Sequence, residues 1–530
     1  MRVGPEGHAL HDSGHDEVDG TGHAAQDAAP GRAVSVVSGD GDAYEPDPRR
    51  WRILGVSLVV GFMSLLDVTI VNVAIPSMRE DLGTSASTIQ WVVSGYALAF
   101  GLTLVAGGRL GDAYGRRRLM VWGLVAFVAS SAAVGLAPSA ELVVVARLLQ
   151  GASAGMLTPQ NSGLVQQLFR GPERGRAFGV FGFTVSLASA IGPVLGGAII
   201  AVAGDDGGWR WLFLVNVPIG AVALVGVLRL VPGRIDDADD ESRGEGRREH
   251  LDVVGAALLG LAVLCVLFPV VSLEGGQRLP LLLLVVAPLV AVGFVRWEHR
   301  LRDRGRAPLL DLGLLRRTPG YAGGLVIGTL YFTGYVGVLL VLSVWLQEGR
   351  GYSALHTGLL ITPLALGSAV ASLLAGRVVT TLGRRLTIGA LTVMMSGVTL
   401  VALLVPGRDE TATAWVLVPA LLLTGIGGGA VVSPNLTLTL ADVPPRMGGA
   451  AGAAVQTGQR IGSAIGAALL VAVYQLGTGD AALRAALLTG LGVLALALVA
   501  ALVVGASGAP HSDDDVPERP GGDRRRAADV

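Results

Sequence analysis

Apolar stretches of roughly 20 residues recur along the chain from Ile53 to Val504, separated by short polar segments rich in arginine and glycine. A helix of about that length crosses the ~30 Å hydrocarbon core of a bilayer. Fourteen such stretches are marked out, at roughly 53–75, 89–108, 119–137, 142–163, 177–201, 211–231, 252–271, 280–296, 321–345, 357–378, 386–405, 414–436, 449–474 and 482–506. The pattern predicts an all-α polytopic membrane protein. Composition strengthens this reading, because 51% of the 530 residues are hydrophobic and only 15% charged. The 77 glycines fall mostly inside the stretches, where small residues let helices in lipid approach closely.

Charge then orients the chain. Every basic residue of Lys or Arg type is an arginine. If both termini are cytoplasmic, the inner loops hold 23 arginines and the outer loops six, Arg79, Arg210, Arg278, Arg350, Arg408 and Arg484. Such an asymmetry follows the positive-inside rule and requires an even number of spans. Residues 1–50 and 507–530 are expected to be disordered cytoplasmic tails, and the first has no cleavable signal peptide pattern. Cys265 is the only cysteine, so no intrachain disulfide forms. His8, His11 and His15 lie in an acidic tail without fixed geometry, and the acidic run Asp236–Glu241 reads as a solubilising loop. Neither suggests a metal site.

Two segments repeat. Gly108–Met120 (GRLGDAYGRRRLM) and Gly376–Ile388 (GRVVTTLGRRLTI) share the seven-residue gap between their first and last glycines. Leu148–Pro159 resembles Leu422–Ser433, and SAIG at Ser189 recurs at Ser463, both at an offset of 274. Duplication predicts two six-helix halves, 51–231 and 321–506, joined by a charged loop 232–250, two extra helices 251–297 and a basic loop 298–320. Transporters are commonly built from such repeats around a midplane site.

At these motifs the sequence resembles the major facilitator superfamily. GRLGDAYGRRR matches its loop signature; LDVTIVNVAIP, RLLQGASAG, ASAIGPVLGG and WRWLFLVNVPIG resemble its 14-span drug:proton antiporter branch, the EmrB/QacA type. The resemblance covers about residues 51–506. It implies a major facilitator fold of 14 transmembrane helices and proton-driven efflux of amphipathic small molecules by alternating access across the cytoplasmic membrane. It also implies a conformational latch at Gly108, Gly111, Asp112, Gly115, Arg116 and Arg117, and an antiporter motif at Gly192, Pro193, Gly196 and Gly197. The working unit is expected to be a monomer, with substrate, protons and lipid as partners and no cofactor, metal, nucleic acid or ATP. Other readings are a proton-coupled carrier of one metabolite, or a membrane sensor on the same fold.

The residues themselves suggest how each part works. Asp112 can accept hydrogen bonds from Arg116 or from a neighbouring helix N-terminus, whereas the second copy has Thr380 at that position and should latch less firmly. Gly182, Ser186, Ser189, Pro193 and Gly197 form one small-residue face for close packing, with a local break expected at Gly192–Pro193. Asp67 lies 14 residues after Ile53, ~21 Å along its helix and ~9 Å from the far side of the core. Arg147, on a helix running the other way, is five residues past Leu142, ~8 Å from that same side. The two can pair, and their separation would favour proton uptake by Asp67. Gln150 and Thr158 continue the Arg147 face. With Asn72, Tyr331, Tyr335, Gln456, Gln459 and Arg460 they are the expected cavity residues. A single deep acid predicts neutral or monocationic cargo.

Overall fold

The computed structural model describes residues 46–204, 207–233, 252–274, 279–304, 306 and 308–507. The two tails, the acidic run, the histidines at 8, 11 and 15 and the loop residue Arg278 lie outside them, apart from a few residues at the tails' inner ends. Among the described residues there is no strand. The long helices are α1 (Arg50–Asp81), α2 (Ala86–Tyr114), α3 (Arg116–Gly135), α4 (Ala140–Leu168), α5 (Gly171–Ala203), α6 (Arg210–Leu230), α7 (Val253–Glu274), α8 (Leu283–Asp303), α9 (Pro319–Val344), α10 (Ala354–Leu382), α11 (Arg384–Leu404), α12 (Glu410–Thr439), α13 (Gly448–Gln475) and α14 (Gly479–Ser507).

Twelve of these are long and apolar enough to cross a membrane, not the fourteen expected. Helices α7 and α13 are not among the twelve. Helix α7 is 22 residues long, and its sequence stays apolar past Pro269 through Val270, Val271 and Leu273. In α13 the 28 residues are long enough, but Gly, Ala and the polar residues Gln456, Gln459 and Arg460 dilute the hydropathy. Such a helix suits a place among other helices rather than in lipid, and Gly448–Thr457 are indeed all buried.

Helices α1–α6 pack mainly on one another, as do α9–α14, giving two bundles. They touch through α2 and α4 on α13, and through α5 on α10 and α12. At the end of the molecule that carries Arg116, one apolar cluster joins the bundles, with Phe169, Phe178 and Leu168 packed with Tyr321, Leu436, Leu440 and Val455. At the Arg147 end the clusters are separate, Ile70, Val71, Met78, Trp209 and Phe213 in one bundle and Val341, Trp345, Leu421 and Leu487 in the other. The bundles thus share an apolar core at the first end and keep separate cores at the second. Helix α7 lies along one flank of the seam, its Val263 and Leu267 against Leu98 of α2 and Ile461 of α13.

Local chemistry explains the helix ends. Gly115 (φ +97°) and Gly383 (φ +53°), equivalent glycines of the two repeats, turn the chain sharply between α2 and α3 and between α10 and α11. Helices α2, α4, α10 and α12 begin with Ser85, Ser139, Ser353 and Asp409, whose side chains accept from a backbone N–H of the first turn at 3.1, 3.4, 3.2 and 2.8 Å. Helix α13 has no such cap of its own.

Candidate functional site

Asp67 on α1 and Arg147 on α4 form an ion pair whose side chains are both fully buried. Asp67 Oδ2 accepts from Arg147 Nη1, and Oδ1 accepts from Gln150 Nε2 at 3.0 Å and Asn216 Nδ2 at 3.0 Å. Both amides also donate to Ser131 Oγ, at 3.1 and 3.0 Å, and that hydroxyl donates to the Phe213 carbonyl at 2.9 Å. Arg147 Nε donates to the Val92 carbonyl at 2.9 Å, and its guanidinium lies 4.2 Å over the Tyr96 ring. Helix α1 supplies the carboxylate, and α2, α3, α4 and α6 supply the partners of the network around it. Both carboxylate oxygens are thereby satisfied, as a buried charge in a low-dielectric site requires, while Arg147 Nη2 has no acceptor among the described residues.

A second centre joins the two bundles. Asp112, on α2, accepts from the Gly449 and Ala450 backbone N–H groups at 3.1 and 2.7 Å, and from Arg116 Nη2 at 2.6 Å. It supplies in trans the acid that the start of α13 lacks, where exposed N–H groups and the helix dipole favour negative charge. Close approach depends on glycine, because a Cβ at Gly108 would lie 2.5 Å from the Gly449 oxygen, and one at Gly163 would fall 1.0 Å from Arg116 Nη1. Next to it, Gln166 Nε2 and Arg174 Nη1 donate to the Leu440 and Ala441 carbonyls just past α12, at 2.7 and 3.1 Å, and Arg116 reaches the Pro445 carbonyl at 3.3 Å. On the pseudo-equivalent seam Gly376 packs on Gly175 and Gly179 of α5, while Thr380 is exposed.

The Major Facilitator Superfamily profile matches residues 57–467. The chain belongs to this superfamily of transporters, which are not enzymes. It is similar to the "Probable actinorhodin transporter" of Streptomyces coelicolor, 38% identical over 443 residues covering 82% of this chain and 74% of that one. It is equally similar to the puromycin resistance protein pur8 of Streptomyces alboniger, 38% identical over 430 residues covering 80% and 82%. The crystal structure of the human organic anion transporter MFSD10 has the same fold, with a TM-score of 0.62 at 18% identity over 86% of this chain and 100% of that one. A multi-pass membrane protein with the superfamily's all-helical fold is the consequence.

Several expected cavity residues are placed otherwise. Gln150 is fully buried in the Asp67 network, and Thr158 is buried with its hydroxyl donating to the Ala154 carbonyl at 2.9 Å. Gln150 is turned to Asp67 of α1 and Ser131 of α3, while Gly151 and Gly155 beside it let α4 approach the Tyr96 and Phe100 backbone of α2. Tyr331 is also buried, stacked on Tyr335 at 5.4 Å with its hydroxyl on the Gly428 carbonyl at 3.0 Å; Tyr335 is half-buried. Gln456 is buried, whereas Gln459 and Arg460 are half-buried. Asn72 lies in α1, and its side chain is outside the described residues.

The antiporter motif also departs from expectation. Helix α5 runs unbroken from Gly171 to Ala203 through Gly192 and Pro193, so there is no local break. Neighbouring helices and adjusted backbone accommodate proline within membrane helices. Gly192 faces Thr69 of α1, where a Cβ would fall 2.0 Å from the hydroxyl; Gly196 is buried and Gly197 has nothing within 4 Å of its Cβ position. Of the small-residue face, Gly182 meets Ser372 and Ser186 Oγ lies 2.9 Å from Ser368 Oγ, but Ser189 is exposed. That face is covered only towards the Arg116 end.

Ser131, Asn216 and Tyr96 were not singled out by sequence reasoning. The signal available was the amide of Asn216 inside the apolar run LFLVNVPIG. Ser131 and Tyr96 carry none, since isolated hydroxyls are common in membrane helices.

Proposed function

We propose that the protein exports amphipathic small molecules, of the kind antibiotics represent, across the cytoplasmic membrane in exchange for protons. The observation that carries the proton half of this reading is the Asp67 network, a carboxylate buried among the helices of one bundle with Arg147 as its charged partner. Arg147, Gln150 and Asn216 surround the Asp67 carboxylate; a rearrangement that withdraws Arg147 would leave it without its charged partner in apolar surroundings, the setting in which membrane carboxylates serve in proton relays. Membership of a transporter superfamily and similarity to a transporter and a resistance protein of antibiotic context support the export half. The contacts of Asp112 act as the latch of the state closed at the Arg116 end, which the arginine distribution assigns to the cytoplasm, so the end with separate cores faces outward. On this reading α7 and α13 complete a set of 14 spans, with both termini cytoplasmic. Everted vesicles test it: a proton gradient should drive accumulation of at least one of two amphipathic dyes of opposite charge, ethidium and fluorescein, and Asp67→Asn should abolish that accumulation and substrate-induced proton release. Gradient-dependent accumulation by Asp67→Asn equal to wild type would refute the coupling role.

A further inference from the structure

Arg460 lies 12 residues into α13, ~18 Å from its start and near the middle of the bundle. Its guanidinium sits over the Phe100 ring of α2, 4.6 Å from the centroid, so a residue of one bundle rests on an aromatic face of the other. The side chain is half-buried, and among the described residues it has neither a carboxylate partner nor a hydrogen-bond acceptor. One turn before it, Gln456 is 7% exposed and its Nε2 donor also lacks an acceptor. The deep carboxylate Asp67 is closed to an incoming ligand, because its side chain is fully buried and both oxygens already accept hydrogen bonds. The seam therefore offers donors and a positive charge, held in place by the buried Phe100 ring, but no free carboxylate. A cation entering there would meet a like charge. An anion would complete a desolvated guanidinium and fill the vacant amide donor, and such charge-assisted bonds are the strong ones.

We propose that Arg460, Phe100 and Gln456 form a recognition site for acidic aromatic substrates, planar molecules bearing a carboxylate, phenolate or enolate. The anion pairs with Arg460 and bonds to Gln456 Nε2, while the ring system lies against the half-exposed guanidinium that Phe100 backs. This names the substrate class of the proposed exporter and rests on that reading. It replaces the expectation of neutral or monocationic cargo, which counted the acid at Asp67 without the network that occupies it.

Two dyes sharing a xanthene ring but opposite in charge, fluorescein and rhodamine 123, provide the test by anisotropy with the purified full-length protein at pH 7.5. Fluorescein should bind more tightly than rhodamine 123, by about tenfold or more. Arg460→Gln should remove that preference, Arg460→Lys should restore part of it, and Gln456→Leu should weaken fluorescein alone. Tighter or equal binding of rhodamine 123 to wild type would overturn the site, as would failure of both dyes to bind. Equal weakening of both dyes in Arg460→Gln and Gln456→Leu would do the same, and would assign these residues to packing. Proton-driven movement of fluorescein in proteoliposomes is the separate arm: its absence with dye discrimination intact removes the exporter reading and leaves the binding site standing.

Discussion

At the scale of single residues, the molecule handles a buried charge by surrounding it. Asp67 receives three donors from three side chains, and Ser131 in turn receives the two amides that serve Asp67. Removing a partner is therefore worse than removing the charge. Arg147→Ala should lower stability by about 3–5 kcal/mol, because it strands a carboxylate in an apolar site. Asp67→Asn should cost less, and the double variant Asp67→Asn/Arg147→Ala should recover part of the loss. Unfolding of the purified variants in detergent measures the cycle, and additive effects would show that the two side chains are not coupled. Asn216→Ala removes one hydrogen bond to a charged group, worth about 1.5–3 kcal/mol, and should slow efflux while the protein still inserts and folds. Normal efflux by that variant would mean the amide is dispensable.

Between elements, the decisive quantity is how closely two helices approach. Gly108 against Gly449 and Gly376 against Gly175 and Gly179 bring α2 to α13 and α10 to α5 at the same end of the molecule. Only the first seam adds a charge, since Asp112 caps α13 while Thr380 is exposed. Interaction of an acid with a helix N-terminus contributes about 0.3–2 kcal/mol, enough to shift a balanced conformational equilibrium severalfold but too little to decide folding. Asp112→Asn should accordingly reduce transport with expression unchanged. Spin labels at the exposed positions Tyr114 and Asp442, in a Cys265→Ser background, should report a longer-distance population in that variant. Unchanged distances together with wild-type efflux would remove the latch. Gly163→Val should have a harsher effect on the same seam, because its side chain would occupy the space of the Arg116 guanidinium.

Across the whole molecule, one apolar cluster shared by both bundles at the Arg116 end, and separate clusters at the other, define a single state of an alternating structure. The extra pair α7 and α8 does not enter either bundle; α7 covers the flank where α2 and α13 meet. Its position ties it to the seam that moves, so shortening it should affect turnover more than insertion. The arginine asymmetry predicts that a reporter fused after Val530 is active only on the cytoplasmic side. Activity outside the cell would require an odd number of spans.

Hydropathy by itself determined the membrane class and the approximate helix positions, because lipid demands long apolar helices whatever their partners are, and the recurring motifs marked the repeat. Matching depth along two antiparallel helices was likewise enough to pair Asp67 with Arg147, since rise per residue is nearly constant. The Asp112 partner was legible only as a type, a helix N-terminus; its identity as the start of α13, 337 residues away, came from tertiary packing. Rotation about each helix axis could not be read in the same way. Whether Gln150 and Thr158 face a cavity or neighbouring helices, and whether Tyr331 is exposed, depends on which faces the helices bring together, and glycines such as Gly151 and Gly155 set how closely they approach. Small residues appear on many faces of these helices, so sequence alone does not say which face is used. Only the assembled bundles show that Asp67 is sealed by its own neighbours and that the unpaired charge beside the seam is Arg460.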